Sequence, residues 1–190
     1  MEHLIVRLAL HKPRSELVSP RTVMVRRSPL NPLRAVVRFG PLCFPAALGR
    51  GGVRSFKHEG DGATPRGSMP VVSGFRTGCK RFAVASPVAL RRVGRRDGWC
   101  DAPAHAAYNR AVRLPFAASH ETLIRTDALY DAVLVLDWNY QSRARGRGSA
   151  IFMHVARPGY TPTEGCVALK WLDLVRLLKV IRRGDVVRVV

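Results

Sequence analysis

Apolar residues in this chain come in short runs, and glycine or proline interrupts nearly all of them. Such a pattern suits strands joined by turns and leaves little room for long amphipathic helices. Residues 22–25, 33–39, 69–72, 132–137, 149–156 and 185–190 read as strands on this basis. The run AVLVLD at 132–137 is apolar without alternation, as in a strand buried on both faces. One segment departs from the pattern. Trp171, Leu174, Leu177, Leu178 and Ile181 recur at three- and four-residue spacing, which predicts a helix over 171–183. Asp173 in its first turn and Arg182 and Arg183 in its last suit the helix dipole, and Gly184 supplies a stop. The fold class expected is therefore mainly β, with one principal helix near the C-terminal end and minor α+β content. Residues 86–120 read as a long irregular loop, a length that usually marks a lid or a binding loop.

At 190 residues the chain fits one domain plus a tail. Residues 1–21 read as a loosely ordered extension and 22–190 as the domain. The apolar stretch at 4–10 is broken by Arg7 and lacks a small-residue cleavage site, so it makes no clear signal peptide. No stretch approaches the ~20 apolar residues of a membrane span.

Charge is the compositional outlier, with 32 basic and 13 acidic residues and a formal net charge of +19. A chain of this charge is drawn to polyanions, unless the charge is only a solvated surface. Aromatics at 7%, basic residues scattered along the chain and no RNA-binding motif argue against nucleic acid as the partner. The four cysteines form no CxxC pair, and His58, His105 and His120 show no ligand spacing, so no metal is expected. Neither GxGxxG nor a P-loop occurs, so no nucleotide cofactor is implied.

His154 is the odd polar residue of 149–156. Strand alternation puts it on one face with Ala150 and Phe152, and Ile151, Met153 and Val155 on the other. Alone, such a histidine reads as a hydrogen-bonded core residue. Cys166 follows in TEGCVAL, where Gly165 permits a tight turn and a close approach by another atom. Alone it reads as a buried structural thiol. A predicted helix start shortly after it would favour the thiolate. Together the two residues suggest an imidazole that takes a proton from a sulfur nucleophile. The amides of Gly165 and Cys166 would then serve as an oxyanion hole. Lys57, Glu59 and Asp61 in KHEGD read either as cleft-rim contacts or as a charged loop fixing a turn. Trp99, Tyr108, Asn109 and Arg110 read as a lid or as a satellite cluster under a loop.

The segment GSAIFMHVARPGYTPTEGC resembles the active-site stretch of the YkuD-like L,D-transpeptidase family, a strand-borne His followed by [S/T]-x-G-C. Upstream, Thr64-Pro65-Arg66-Gly67 looks like the family's T-P-x-G turn into a strand. The stretches DGWCDAPAHAAYNRAVRLP and YDAVLVLDWN resemble a compact stand-alone subgroup. The resemblance implies a β-sandwich-like catalytic fold. It implies Cys166 as nucleophile, His154 as general base, and the Gly165 and Cys166 amides at the oxyanion. The implied substrate is a peptidoglycan stem tetrapeptide. D-alanine leaves, a thioester forms, and an acceptor amine resolves it; water as acceptor would make an L,D-carboxypeptidase. The implied place is the periplasm or cell wall, beside an anionic envelope. Three positions depart from the common pattern, Val155, Glu164 and Ala168. With Ala168 in place of a polar residue, substrate contacts are expected from Arg147, Arg157 and Thr163. A non-catalytic wall binder and a basic nucleic-acid module are the competing readings.

Overall fold

The computed structural model describes residues 19–78 and 85–190. The expected extension over 1–21 lies outside them except for its last three residues, as does Cys79. The strands in chain order are β1 (Thr22–Arg27), β2 (Arg34–Phe39), β3 (Leu42–Ala47), β4 (Val53–Arg54), β5 (Thr64–Pro65), β6 (Gly67–Arg76) and β7 (Leu90–Arg92). They continue with β8 (Asp97–Cys100), β9 (Arg110–Arg113), β10 (His120–Thr122), β11 (Ala132–Leu136), β12 (Phe152–Val155), β13 (Val167–Leu169) and β14 (Val186–Val189). The helix α1 spans Trp171–Leu178. Among the described residues no helix is long and apolar enough to cross a membrane.

The main sheet runs β11-β12-β13-β3-β2-β1-β14-β6-β7, with a further pairing of β11 to β6. The first residues of β6 pair with β14 and the later ones with β11, across a register shift at Leu136. Eight strands thereby close into a ring. Alternation along β1 and β2 buries Val23, Val25, Ala35, Val37 and Phe39, and these meet Met69, Leu134, Met153, Leu169 and Val187 in one core. Leu174, Leu177 and Leu178 of α1 join that core, as the apolar spacing requires. At roughly 25 cal/mol per Å² of apolar surface, each fully buried leucine adds about 1.5–3 kcal/mol.

A second apolar cluster lies on the opposite face of β11 and β12. Phe75, Val133, Val135 and Phe152 pack there against Trp99, Leu123 and Tyr130. Phe152 meets Phe75, Trp99 and Tyr130 edge to face, at centroid distances of 5.1–5.8 Å. Covered on both faces, β11 is buried along its whole length, as its unbroken apolar run predicts.

Two expectations are corrected. Residues 86–120 are not irregular throughout: β7 lies among them, and β10-β8-β9 form a small antiparallel sheet over the second cluster. The helix ends at Leu178 rather than Arg183, because Lys179 and Val180 form a closing turn. Ile181 still packs into the core, so the apolar spacing outlasts the helix.

Candidate active site

Strands β12 and β13 pair in parallel, with Met153 opposite Val167 and His154 opposite Ala168. Cys166 therefore sits opposite Phe152, two residues from Ala168. With a side-chain period of two, His154 and Cys166 project from the same face. Both line one cleft of about 390 Å³, beside Tyr130, Ala150, Glu121, Thr163 and Arg157. They are 5% and 7% exposed, so only their tips reach that space.

The turn carrying the thiol is fixed by short-range bonds. Thr163 Oγ1 donates to the Cys166 carbonyl at 2.7 Å and accepts from the Gly165 N–H at 3.1 Å. The Thr163 N–H donates to Leu48 O, and its carbonyl accepts from Arg50 N–H. Gly165 has φ +136°, and a Cβ there would lie 2.8 Å from the Ala63 carbonyl. This is the close approach that the glycine allows, and the approaching atom belongs to the segment that leads into Thr64-Pro65-Arg66-Gly67. Thr64 Oγ1 in turn accepts from Gly49 N–H at 2.8 Å. Glu164 reaches outward to an exposed ion pair with Arg50 at 2.8 Å.

Ala150 and Asn109 complete the thiol's cradle, and neither role is visible in the sequence. Ala150 is left-handed at φ +51°. Its carbonyl accepts from Cys166 Sγ at 3.3 Å, and Phe152 N–H donates to the same sulfur at 3.4 Å. A left-handed non-glycine residue costs of order 1–3 kcal/mol and persists only where its neighbours enforce it. Asn109 is the enforcer. Its Oδ1 accepts from both Ala150 N–H (3.0 Å) and Trp99 Nε1 (3.1 Å), and its Nδ2 donates to Trp138 O. Trp99 and Asn109 thus support the site from beneath the small sheet.

His154 Nδ1 lies 2.8 Å from the Val155 carbonyl. A carbonyl can only accept, so Nδ1 carries the proton and Nε2 keeps its lone pair. Burial then lowers the imidazole to about 4, and nearby Arg125 and Arg157 act in the same direction. Burial pushes the Cys166 thiol up to about 12, and the Glu121 carboxylate adds to that rise. Both groups are neutral at pH 7, so the site stores no thiolate–imidazolium pair. Strand β13 separates Cys166 from α1. The thiolate stabilisation expected from a helix start just after the cysteine is therefore absent. Iodoacetamide at pH 8 should accordingly modify exposed Cys43 well before Cys166, as peptide mass mapping of the two sites would show.

The loop charges divide their work. Asp61 accepts from the N–H groups of His58 and Ala63, which fixes the turn. It also pairs with Lys57 Nζ, and the two side chains are only 10% and 3% exposed. Removing one partner of a buried pair strands the other charge, so Asp61→Ala should cost about 3–5 kcal/mol in urea unfolding. Glu59 accepts from Tyr108 OH, and Lys57 and Glu59 both line the thiol's cleft.

Of the substrate-contact candidates, Thr163 and Arg157 line this cleft. Arg147 does not; it borders a neighbouring cleft with Trp138 and Asn139. Tyr130, two residues before β11, lines the cleft and stands edge-on to the His154 ring at 5.4 Å. Glu121 also lines it, and no local signal marks that residue. Among the described residues no cluster of three metal-ligating side chains occurs.

The structure can be aligned with a crystal structure of Mycobacterium tuberculosis L,D-transpeptidase 1 at 14% identity and a TM-score of 0.40, over 89% of this chain and 62% of that one. This chain thus spans less than two thirds of that protein's length. No curated protein matches the chain. The model of the L,D-transpeptidase catalytic domain (YkuD) matches residues 36–189, which take in every strand from β3 to β14 together with His154 and Cys166. A match over that span, which includes both His154 and Cys166, means that the chain belongs to the L,D-transpeptidase (YkuD) catalytic domain family.

Proposed function

We propose that this protein is a peptidoglycan L,D-transpeptidase working through a thioester on Cys166. The observation that carries the reading is the shared cleft: the thiol and a tautomer-fixed imidazole line the same space, His154 from β12 and Cys166 from the residue just before its parallel partner β13. His154 Nε2 accepts the thiol proton as Sγ attacks the L-centre carbonyl that precedes D-alanine. The tetrahedral oxyanion is held by the Cys166 and Gly165 amides, the latter exchanging Thr163 Oγ1 for the substrate oxygen. The imidazolium then protonates the departing amine, and D-alanine leaves. An acceptor amine resolves the thioester and makes the cross-link. Thr163 acts through the turn it staples, and Arg157, which lines the cleft beside Asp127, exchanges that partner for a stem carboxylate.

Work at the cell wall, outside the cytoplasmic membrane, accords with the charge. A net charge of +19 concentrates the protein on an anionic envelope, and salt weakens that attraction. Incubation with a stem tetrapeptide, followed by product mass, tests the reading. Loss of D-alanine with a cross-linked dimer is expected. A trimmed tripeptide alone would make the protein a carboxypeptidase, and untouched peptide would remove the enzyme assignment.

A further inference from the structure

The cleft is charged against the trend of the molecule. Four of the chain's 13 acidic residues line it, Glu59, Asp101, Glu121 and Glu164, against three of its 32 basic ones, Lys57, Arg125 and Arg157. The cations are already matched: Lys57 to Asp61, and Arg125 and Arg157 to Asp127. Glu164 is matched to Arg50, and Glu59 holds Tyr108 OH. Glu121 and Asp101 have no ion-pair partner among the described residues. Asp101 Oδ1 is buried and has no hydrogen-bond partner. Glu121 holds one contact, accepting from Tyr130 OH at 2.6 Å, and the Tyr130 ring in turn abuts His154. A thiol, a histidine and two carboxylates without an ion-pair partner thus line one space. That arrangement asks for a cation, and one small enough to reach the thioester.

We propose that Glu121 deprotonates the acceptor ammonium in the second half-reaction, while the unpartnered Asp101 oxygen helps to seat it. The inference rests on the transpeptidase reading and names how its acceptor is recognised. An acceptor amine enters as R–NH3⁺, which has no lone pair for attack. Glu121 takes one proton and becomes the neutral acid. The freed R–NH2 attacks the thioester carbonyl, forming the C–N bond. His154 Nε2 takes a second proton from that nitrogen as the C–S bond breaks, then returns it to the departing sulfur. The amide is released, Cys166 and His154 regain their resting forms, and the Glu121 proton passes to water. Burial and the neighbouring Asp101 and Glu59 raise the Glu121 carboxyl, while Tyr130 OH and Arg125 oppose the rise. A raised carboxyl is a better base toward an ammonium than an ordinary one.

The test separates the two half-reactions. A tetrapeptide with its side-chain amine acetylated can acylate Cys166 but cannot serve as acceptor; the unblocked tetrapeptide is then added. Glu121→Gln keeps an oxygen for Tyr130 OH. It should not slow acylation, followed by intact mass, because the charge it removes opposes ionisation of the Cys166 thiol, yet it should slow aminolysis by roughly 10²-fold or more, so that hydrolysis dominates. Glu121→Asp should recover part of the aminolysis. Aminolysis by Glu121→Gln at the wild-type rate would overturn the proposal, as would equal loss of acylation in both variants. Failure of wild type to acylate is a separate result and removes the transpeptidase reading itself.

Discussion

Cys166→Ala is expected to abolish acylation by a stem tetrapeptide, with a loss on the order of 10⁴–10⁶-fold, because no other described group in the cleft can form the thioester. Cys100 is buried elsewhere and Cys43 is exposed, so neither substitutes for it. Intact mass makes the result unambiguous. Wild type should gain one acyl group, and a carbapenem β-lactam should add at the same atom, whereas Cys166→Ala should stay unmodified by both. The substitution removes a sulfur that bonds Ala150 O and Phe152 N–H, so a small stability change is also expected. A thermal melt close to wild type shows that the lost chemistry is not lost folding. An adduct that persists on Cys166→Ala would place the nucleophile elsewhere.

His154→Ala should slow acylation by roughly 10²–10⁴-fold, the usual range for removing a positioned base. The pH profile carries the sharper information. The imidazole is lowered to about 4 and the thiol raised to about 12, so both stay neutral across the neutral range. Single-turnover acylation should therefore hold steady down to about pH 5 and fall as His154 protonates near pH 4. A profile that fell already near pH 7 would instead indicate an imidazole with an ordinary, unlowered pKa. Stability follows the same group. The unfolded histidine, near 6.5, binds a proton that the folded one refuses until about 4. Between these values the unfolded state holds more protons, so stability declines as pH falls through that window, by roughly 3 kcal/mol in all. His154→Gln should flatten that part of the denaturation-versus-pH curve.

Six of the eight ring strands, all but β3 and β13, were readable because each sits in an apolar run bounded by turn residues. The alternation of 149–156 separated Ala150 and Phe152 from Ile151 and Met153, and the two apolar clusters hold these pairs apart. The small sheet was not readable. Its strands are three or four residues long, and β8 reads Asp-Gly-Trp-Cys, with no period to detect. β3 was missed for a related reason: Pro45 and two alanines carry little strand signal, yet pairing to β2 and β13 holds them extended. In the site, Cys166 and His154 declared themselves by spacing and glycine. Asn109, Glu121 and Tyr130 did not, because each acquires its role from a residue of another segment: Ala150 for Asn109, Tyr130 for Glu121 and His154 for Tyr130.

The position of β14 bears on how this molecule comes into being. That strand lies between β1 and β6, joined to β1 in parallel and to β6 antiparallel. During synthesis β1, β2, β3 and most of β6 leave the ribosome long before residues 186–189 do. Until then the facing edges of β1 and β6 stay unsatisfied, and unpaired strand edges invite pairing with other chains. The ring can close only once that late segment has emerged. Nascent chains stalled before it should consequently be sticky and unable to assemble the groove, even though the histidine and cysteine have both been made.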